Sequence, residues 1–477
     1  MTMPVPVGLD QFSVPWCVHD RTERLLIPGI NRNSPPLIKR SQIPQRPVIT
    51  ENGVYFLYTW HVSAPTTVTP RIDGERLMQR LFALAEIGAI DNGGCARLAL
   101  TDDDKAGRDL VVAWMTDLGL DISIDAVGNV VGLWNVGSGA PVMTGSHIDT
   151  VRTGGKYDGN LGVLAGIEVI QSCQEQGITP ARPLAVAFFT DEEGSRFPPD
   201  MLGSLVYVGG MPVEQAHDIV GIDGARVGDE LARIGYLGSV PCPGKGPHAF
   251  VELHIEQGPV LEQHDTVIGV VTSVQGISWL EVTIDGQSNH AGTTPMSLRK
   301  DPAYVAARIA VFLRDLATRY GGHQVCTVGK IDIFPNLVNV VPARATLTLD
   351  VRNTDESILQ SAEREIEEFL STVAREEDVT ITTRSLARFE PVPFHDAVID
   401  TVEHVANEHG LSSMRMPSGA GHDAQMLARV CPSGMVFVPS HKGISHNPAE
   451  HTDKDHIVAG ADVLMNVMLQ LTEMSFT

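Results

Sequence analysis

The chain has 477 residues, which is long enough for two domains of ordinary size and a large hydrophobic core. It carries 35 lysines and arginines against 58 aspartates and glutamates, which gives a net charge of −23 at pH 7. Such an acidic excess repels nucleic-acid phosphates and anionic membrane surfaces, and we therefore expect neither nucleic acid nor a membrane as a partner.

The cysteines and the N-terminal sequence indicate the cellular compartment of the protein. The six cysteines lie far apart, without a CxxC pair or a short disulfide framework. No apolar run of about 18 residues and no basic-then-apolar signal pattern is present. We expect reduced, mostly buried thiols in a cytoplasmic protein.

Residues 1–70 differ from the rest of the chain. They are rich in proline, as in NRNSPPLIKRSQIPQRP, and show no sustained helical or strand period. We expect an atypical extension there. Regular patterns begin with RIDGERLMQRLFALAEIG and TDDDKAGRDLVVAWMTDLG, whose apolar spacing and acidic starts predict two packed helices.

Strands and helices then alternate. NVVGLWNV, APVMTGS and PLAVAFFTDEEGS are typical of strands, and LGVLAGIEVIQSCQEQG is typical of a helix closed by glycine. The apolar run LAVAFF suits a strand buried on both faces, as in a parallel sheet. We predict an α/β catalytic domain with a mostly parallel sheet flanked by helices, formed by residues 71–275 and 391–477.

Residues 276–390 follow a different order. Their patterns predict strand, helix, two strands, helix and strand, from GISWLEVTIDG to VTITTRSL. This βαββαβ order makes a two-layer unit that buries its own sheet face. We predict a smaller α+β domain inserted into the first one.

The segment TGSHIDTVRTGGKYDGN gathers ligand-type side chains among glycines. His147 and Asp149 are two residues apart at a strand end and lie on the same side of the chain, so the Asp149 carboxylate could orient the His147 ring on a metal ion. Taken alone, a buried histidine bonded to a neighbouring aspartate explains this pair as well, and Asp158 could simply cap the next helix.

Other candidate ligands follow predicted strands. Asp191, Glu192 and Glu193 end the apolar strand, where three carboxylates repel one another unless solvent or a cation relieves them. In ELHIEQGP, His254 alternates with Glu252 and Glu256 on one strand face. GISHNPAEHTD adds the two further candidates His446 and His451.

Motifs for other chemistries are weaker. The segment GQSNH breaks the G-x-S-x-G nucleophile pattern at its last glycine, and GAGHDA is a poor dinucleotide-binding fingerprint without an obvious preceding strand. Nucleotide chemistry and serine-nucleophile chemistry are therefore disfavoured.

Seven motifs in order carry a family resemblance over residues 71–475. The motifs are TGSHIDTVRTGGKYDGNLGV, TDEEGSRF, LHIEQGPVLE, GQSNHAGTTPM, NVVPARATLTLDVRN, SGAGHDA and ISHNPAEHT. With these motifs the chain resembles the hydantoinase/carbamoylase branch of the M20 metallopeptidase-like family.

The resemblance implies a site for two divalent ions, which would be zinc, manganese, cobalt or nickel. His147 and His254 would bind one ion, Glu193 and His446 the other, and Asp158 would bridge both. The short spacing between the first histidine and Asp158, and a histidine in LHIEQG where the peptidases have an acidic residue, favour this branch over the peptidases.

The remaining roles also come from the resemblance. Glu192 would be the general base and Asp149 the group that orients His147. Arg352, Asn339 and His290 would hold the substrate carboxylate and polarise the scissile carbonyl, which makes His290 a candidate catalytic residue. His290 would reach the active site of a neighbouring subunit in a homodimer, with the smaller domain serving as the lid and dimerisation domain that closes over the substrate. Without the resemblance, we would interpret Arg352 as part of an ion pair. Further pocket contacts are expected from Gln257, Gly421 and His422.

The implied activity is hydrolysis of a linear ureido or amide bond. We expect an N-carbamoyl-L-amino acid to be converted into the amino acid, ammonia and carbon dioxide. Allantoate and N-carbamoyl-β-alanine are alternative substrates. A dipeptidase or acylase, and a binding protein without catalysis, agree less well with the intact ligand set and Glu192.

Overall fold

The computed structural model describes residues 69–476 and, before them, four two- or three-residue strands. Strand β1 pairs with β4 and β2 with β3, both antiparallel. The predicted extension over residues 1–70 otherwise lies outside the described residues. These strands are β1 (Ile43–Pro44), β2 (Val48–Thr50), β3 (Gly53–Tyr55) and β4 (Tyr58–Thr59).

The first part of the described chain alternates helices and strands up to residue 274. It contains α1 (Gly74–Ala85), α2 (Asp102–Asp117), β5 (Asp121–Ile124), β6 (Val130–Trp134), β7 (Val142–His147), α3 (Asn160–Glu175), β8 (Leu184–Phe189), α4 (Leu202–Tyr207), α5 (Val213–His217), α6 (Val227–Ile234), β9 (Ala249–Ile255), α7 (Val260–Gln263) and β10 (Ile268–Val274).

The rest of the chain begins with the predicted βαββαβ segment. Its elements are β11 (Gly276–Asp285), β12 (Asn289–His290), α8 (Pro302–Tyr320), β13 (Val325–Phe334), β14 (Val340–Val341), β15 (Arg344–Asn353), α9 (Glu356–Glu376), β16 (Thr380–Phe389), β17 (Val392–Pro393), α10 (Asp396–Glu408), β18 (Ser413–Ser418), α11 (Asp423–Leu427), β19 (Ser433–Val438) and α12 (Lys454–Glu473).

The central sheet has the strand order β17–β10–β19–β9–β7–β8–β6–β5, and β18 pairs with β10. Strands β19, β9, β7 and β8 run parallel to one another, which confirms the predicted α/β class. Towards the edges the pairing is antiparallel. It joins β8 to β6 and β6 to β5 on one side, and β19 to β10 and β10 to β17 on the other. Strands β5 and β6 are joined by a loop too short for a parallel crossover.

Burial explains the sequence patterns of this sheet. Every residue of β8, the run LAVAFF, is buried, as predicted for a strand covered on both faces. Helix α3 is buried on nearly all sides, because it packs on β7 and is covered by α1 and α12. A helix that is apolar all round fits this inner position.

Residues 276–389 build a four-stranded antiparallel sheet in the order β13–β15–β11–β16, with α8 and α9 packed on it. Alternate residues of β15 are buried, so one sheet face meets the helices. This unit has its own hydrophobic cluster, which supports the inserted domain. The βαββαβ order is confirmed, whereas the short antiparallel pair of β12 and β14 was not predicted. The domain boundaries stay a prediction.

Two further observations concern residues 69–476. None of their helices combines the length and apolar character needed to cross a membrane. Their five cysteines are free thiols, and three of them are buried.

Candidate active site

The carboxyl ends of three neighbouring parallel strands converge on one place, where active sites of such sheets form. His147 is the last residue of β7, and His254 lies near the end of the adjacent β9. Glu192 and Glu193 follow β8, the other neighbour of β7. His446 comes from the loop after β19, which lies beside β9.

Asp158 lies at the centre of these side chains. Its Oδ1 is 3.2 Å from Nε2 of His254 and 3.7 Å from Nε2 of His147. Its Oδ2 is 3.4 Å from Nε2 of His446, and that nitrogen is 3.3 Å from Oε2 of Glu193. Two triads therefore share Asp158, and the ligand atoms within each lie within 4.8 Å of one another.

Gln257 joins the second triad. Its side-chain amide donates a 2.8 Å hydrogen bond to Oδ2 of Asp158, which also accepts one from the Ser445 hydroxyl at 3.0 Å. Gln257 and His446 both have the left-handed backbone, at φ +58° and +52°. Non-glycine residues adopt this region at a cost, and such strain is concentrated at functional sites.

Buried contacts fix the position of Asp158. Oε1 of Glu450 accepts hydrogen bonds from the backbone N–H groups of Tyr157 and Asp158, at 3.0 and 3.2 Å. Gly159 has φ +66°, and a Cβ there would lie 2.4 Å from the His147 ring. Only glycine leaves room for that ring, so the sequence KYDGN brings Asp158 against His147.

Asp149 contacts the His147 ring through a different atom from the one that the sequence predicted. The group 2.9 Å from Nδ1 of His147 is the backbone carbonyl of Asp149, not its carboxylate. The carboxylate instead accepts hydrogen bonds from the backbone N–H groups of Glu192 and Glu193, both at 3.3 Å. The side chain therefore holds the Glu192–Glu193 turn, whereas the main chain orients the histidine.

The electrostatics of the site fit bound cations. Burial lowers the pKa of His147 to about 4, which leaves its ring neutral and able to bind a metal. Burial also raises the pKa of Glu192 and Glu193 well above their usual range, and neighbouring carboxylates raise it further. Divalent ions would relieve this repulsion, and the mixed imidazole and carboxylate donors suit transition metals.

A third group of ligand-type side chains lies beside the first triad and consists of Glu252, His254 and His422. Their polar atoms are engaged in hydrogen bonds. Glu252 accepts one from Ser146 at 2.6 Å, and Nε2 of His422 lies 2.9 Å from the Ser418 hydroxyl. We therefore interpret Glu252 and His422 as supports for His254.

The two triads line a cavity of about 220 Å³. The neighbouring cavity, of about 700 Å³, is larger but contains neither triad, so we take the smaller one as the candidate site. The smaller cavity is lined by His147, Asp158, Glu192, Glu193, Asp200, His254, Gln257, Ile277, Trp279, Arg352, Ala420, Gly421, His422 and His446.

Arg352 enters this cavity from β15 of the smaller unit. Its Nε and Nη2 donate to the two carboxylate oxygens of Asp350, each at 2.9 Å, and its Nη1 donates to the carbonyl of Gly419 at 2.7 Å. A guanidinium has five N–H groups in a planar fork. One N–H on each of Nη1 and Nη2 therefore remains for a further acceptor such as a carboxylate.

Three predicted candidates do not reach this cavity. His290 ends β12 and Asn339 immediately precedes its antiparallel partner β14, and both residues are exposed. Nδ1 of His290 accepts hydrogen bonds from its own turn, and the Asn339 carbonyl accepts one from the Ala291 N–H. His451 is exposed and lies 3.1 Å from Asp453.

Sequence reasoning missed residues that shape the site. Glu450 and Ser445 flank His446 in GISHNPAEH, but their partners are remote in the chain. Asp200 follows two prolines with no strand or helix pattern to place it. Only the proximity of Glu450 and Ser445 to His446 in the motif could have suggested these two residues.

Comparisons with known proteins identify the family of the chain. Residues 143–470 match the model of the peptidase family M20/M25/M40. An N-carbamoyl-L-amino acid amidohydrolase of Geobacillus stearothermophilus is 40% identical over 410 residues, which are 84% of this chain and 99% of that protein. An allantoate amidohydrolase of Escherichia coli (strain K12) is 38% identical over 393 residues, 81% of this chain and 95% of that protein.

Solved structures give the same result. The chain is similar to an amidase of the hydantoinase/carbamoylase family from Burkholderia multivorans, with a TM-score of 0.82 and 42% identity over 85% of this chain and 99% of that one. The family match covers both histidine-bearing strand ends, Asp158 and His446. The chain therefore belongs to the M20/M25/M40 family of metal-dependent hydrolases, in its hydantoinase/carbamoylase branch.

Proposed function

We propose that the protein is a binuclear metal-dependent amidohydrolase that converts an N-carbamoyl-L-amino acid into the L-amino acid, ammonia and carbon dioxide. The observation that carries this proposal is the pair of ligand triads that share Asp158. Relatives named as N-carbamoyl-L-amino acid amidohydrolases support the bond that is cleaved. Allantoate is the nearest alternative substrate, because allantoate amidohydrolases are also among the relatives.

Each triad would hold one ion. His147 and His254 would bind the first ion, and Glu193 and His446 would bind the second. Oδ1 of Asp158 faces the first two residues and its Oδ2 faces His446 of the second pair. Two divalent cations held by these residues would supply Lewis acidity to the attacking water and to the scissile carbonyl. Zinc, manganese, cobalt and nickel all accept these donors.

Glu192 would move the proton. Its Oε2 lies 3.4 Å from Nε2 of His147, at the edge of the first triad. Burial and the nearby carboxylates of Asp423 and Glu193 raise its pKa, which strengthens it as a proton acceptor. Glu192 would take the proton of the attacking water and deliver it to the departing nitrogen.

Arg352 would hold the carboxylate of the substrate. Arg352 lines the same cavity as both triads and keeps two N–H groups without a partner among the described residues. A bidentate contact there would fix the substrate at one end while its ureido group reaches Glu192. Gln257, Gly421 and His422 line the same cavity and complete the contacts.

We also propose a homodimer in the cytoplasm. His290 and Asn339 lie close in sequence to five exposed apolar side chains, and large exposed apolar patches mark interaction surfaces. Burial of these side chains against a second copy would bring His290 and Asn339 to the partner's site. These exposed side chains are Met296, Leu298, Phe334, Leu337 and Val338.

The test is ammonia release by metal-loaded protein from N-carbamoyl-L-amino acids, N-carbamoyl-β-alanine, allantoate and dipeptides. We expect release from the ureido acids and not from the dipeptides. The Glu192→Gln variant should lose at least about 100-fold in kcat, the usual contribution of a general base. Turnover of dipeptides alone, or undiminished turnover by Glu192→Gln, would overturn the proposal.

A further inference from the structure

The guanidinium of Arg352 is restrained by groups on different sides. Its Nε and Nη2 each donate a 2.9 Å hydrogen bond to a different carboxylate oxygen of Asp350, and its Nη1 donates one of 2.7 Å to the Gly419 carbonyl. The guanidinium also lies over the Trp279 ring, 5.9 Å from the ring centre. The hydrogen bonds fix the guanidinium within its own plane, and the ring limits its movement out of that plane.

The ion pair between Asp350 and Arg352 is built on an inner strand. The two residues lie two positions apart on β15, so their side chains share one face of the sheet. Strand β15 pairs with β13 on one side and with β11 on the other, and Trp279 of β11 is the residue opposite Asp350. Backbone hydrogen bonds on both sides therefore hold this pair in place.

The Gly419 carbonyl belongs to the other part of the fold. Gly419 directly follows β18, which pairs with β10 of the central sheet. The preceding Ser418 is buried, its hydroxyl accepts a 3.1 Å hydrogen bond from the Ala420 N–H, and its carbonyl accepts one of 3.0 Å from the Gln275 N–H. The Gly419 carbonyl is therefore a fixed acceptor, and Arg352 joins the smaller unit to the central sheet.

Asp350 does not line the site cavity. It lines the neighbouring cavity of about 700 Å³, whereas Arg352 lines both cavities. A substrate between Arg352 and the two triads would therefore meet the guanidinium and not the carboxylate behind it. Any effect of Asp350 on the substrate has to pass through the position of Arg352.

We propose that Asp350 is a positioning residue that fixes Arg352 at one distance from the two triads, and that the site thereby selects α-ureido acids over β-ureido acids. The inference rests on the proposed function, in which Arg352 holds the substrate carboxylate and the ureido group lies at the triads. A β-ureido acid has one more C–C bond, of about 1.5 Å, between its ureido nitrogen and its carboxylate. A guanidinium held by Asp350 and Gly419 does not follow that displacement, so one end of the longer molecule is misplaced.

Two isomers test the inference. N-carbamoyl-L-alanine and N-carbamoyl-β-alanine have the same atoms, charge and ureido group, and they differ in the separation between the ureido group and the carboxylate. A misplacement of about 1 Å costs about 100-fold in rate, so kcat/KM of metal-loaded wild-type protein should favour the α-isomer by about this factor.

The Asp350→Ala variant should reduce this preference. Arg352 would keep the Gly419 carbonyl but lose both carboxylate partners, and the ratio of kcat/KM for the α-isomer over the β-isomer should fall by about 10-fold or more. Loss of the negative charge strengthens the attraction of Arg352 for both substrate carboxylates, so this effect cancels in the ratio. Asp350→Asn keeps one acceptor oxygen and should give an intermediate ratio.

A matched control and a second readout separate positioning from general damage. Glu281 accepts hydrogen bonds of 3.1 and 3.0 Å from Arg384 on the same sheet but lines neither cavity, so Glu281→Ala should leave the ratio unchanged. The amide of N-carbamoyl-L-alanine has no carboxylate for Arg352 to hold. Its kcat/KM should therefore be the same in wild-type and Asp350→Ala protein. Thermal melts would establish that the variants are folded.

The outcomes separate the inference from the proposed function. If both Asp350 variants leave the isomer ratio unchanged, or if Asp350→Ala lowers kcat/KM for the amide as much as for the acid, the inference is wrong and the proposed function stands. Equal use of the two isomers by wild-type protein overturns the inference in the same way. If metal-loaded wild-type protein releases ammonia from neither isomer, or faster from the β-isomer, the proposed substrate is wrong and the inference fails with it.

Discussion

The backbone carbonyl of Asp149 lies 2.9 Å from Nδ1 of His147, whereas the carboxylate of the same residue has its hydrogen-bond partners on another segment. The carboxylate accepts hydrogen bonds from the N–H groups of Glu192 and Glu193 instead. One residue thus orients two parts of the site through different atoms. Its main chain fixes the first histidine, and its side chain fixes the turn that carries the expected base.

This division predicts the behaviour of Asp149→Ala. The variant keeps the carbonyl at His147, so the ion of the first triad should be retained, whereas the loosened Glu192–Glu193 turn should lower kcat by about 10- to 100-fold. Metal content by atomic emission and steady-state kinetics would check this. His147→Ala is the comparison, because it removes a ligand outright. Loss of the first ion from Asp149→Ala to the same extent as from His147→Ala would show that the carboxylate orients the ring.

The shared position of Asp158 predicts a pattern of metal stoichiometry. His446→Ala should leave one ion per subunit and His254→Ala should also leave one, because each histidine belongs to a single triad. Asp158→Ala should lose both ions, because its two oxygens serve both triads. Metal analysis after dialysis against a defined metal buffer gives the result. Retention of two ions by Asp158→Ala would contradict the bridging role.

Removal of metal should also destabilise the fold. A ligand that binds only the folded state adds about 2.7 kcal/mol at one hundred times its Kd. Chelation should therefore lower the Tm of the wild type and of the control variant Asp117→Asn alike, since Asp117 is exposed near the end of α2. It should barely change the Tm of Asp158→Ala, which has no ions to lose. An equal decrease in all three proteins would mean that the chelator acts elsewhere.

The convergence of the candidate ligands could be predicted from the sequence for a physical reason. Alternation in ELHIEQGP places His254 on a strand, and apolar LAVAFF places Glu192 and Glu193 just after one, so parallel neighbours bring them to one sheet edge. The i, i+2 spacing of His147 and Asp149 could not say whether a carbonyl or a carboxylate reaches the ring. That choice depends on the backbone torsion after β7, which the loop and its partners set.

Partners distant in sequence were beyond prediction. Glu450 holds Asp158 across a separation of 292 residues, and no local pattern encodes such a contact. Arg97 is a similar case, since no acidic residue pairs with it among those that the structure describes. Its surroundings consist of main-chain carbonyls and an amide, which only the assembled fold provides.

Arg97 gives a prediction about stability. It is fully buried and donates hydrogen bonds to the carbonyls of Leu84, Ile87 and Ile148 and to the side chain of Asn160, at 2.7 to 2.9 Å. Arg97→Met would leave several buried acceptors without a donor. We expect a loss of about 3 kcal/mol or more in the free energy of unfolding, measured with urea.

The control for Arg97 is an exposed arginine. Arg415 pairs with Asp400 and Glu403 on the surface, and exposed ion pairs of this kind contribute roughly 0–1 kcal/mol. Arg415→Met should therefore change stability little. Equal losses in the two variants would mean that the buried hydrogen bonds of Arg97 contribute no more than a surface pair.

The exposed position of His290 predicts that two defective chains can restore each other. If His290 acts in the partner's site, His290→Ala and Glu192→Gln should each be inactive as homodimers, because one lacks the contributed histidine and the other lacks the base. A mixed dimer contains one site with an intact Glu192 and a His290 supplied by the other chain. In a two-fold symmetric dimer with random exchange of subunits, about a quarter of all sites would then be complete. Mixing the unfolded variants, refolding them together with metal and measuring ammonia release would test this, and refolding each variant alone is the control.

Mixed Arg352→Ala and Glu192→Gln chains give a second comparison, because both residues line the cavity of the same chain. That mixture should stay inactive, since no site in it regains both residues. Absence of recovery in the His290 mixture, with a dimer present in sedimentation, would show that His290 does not act across the interface.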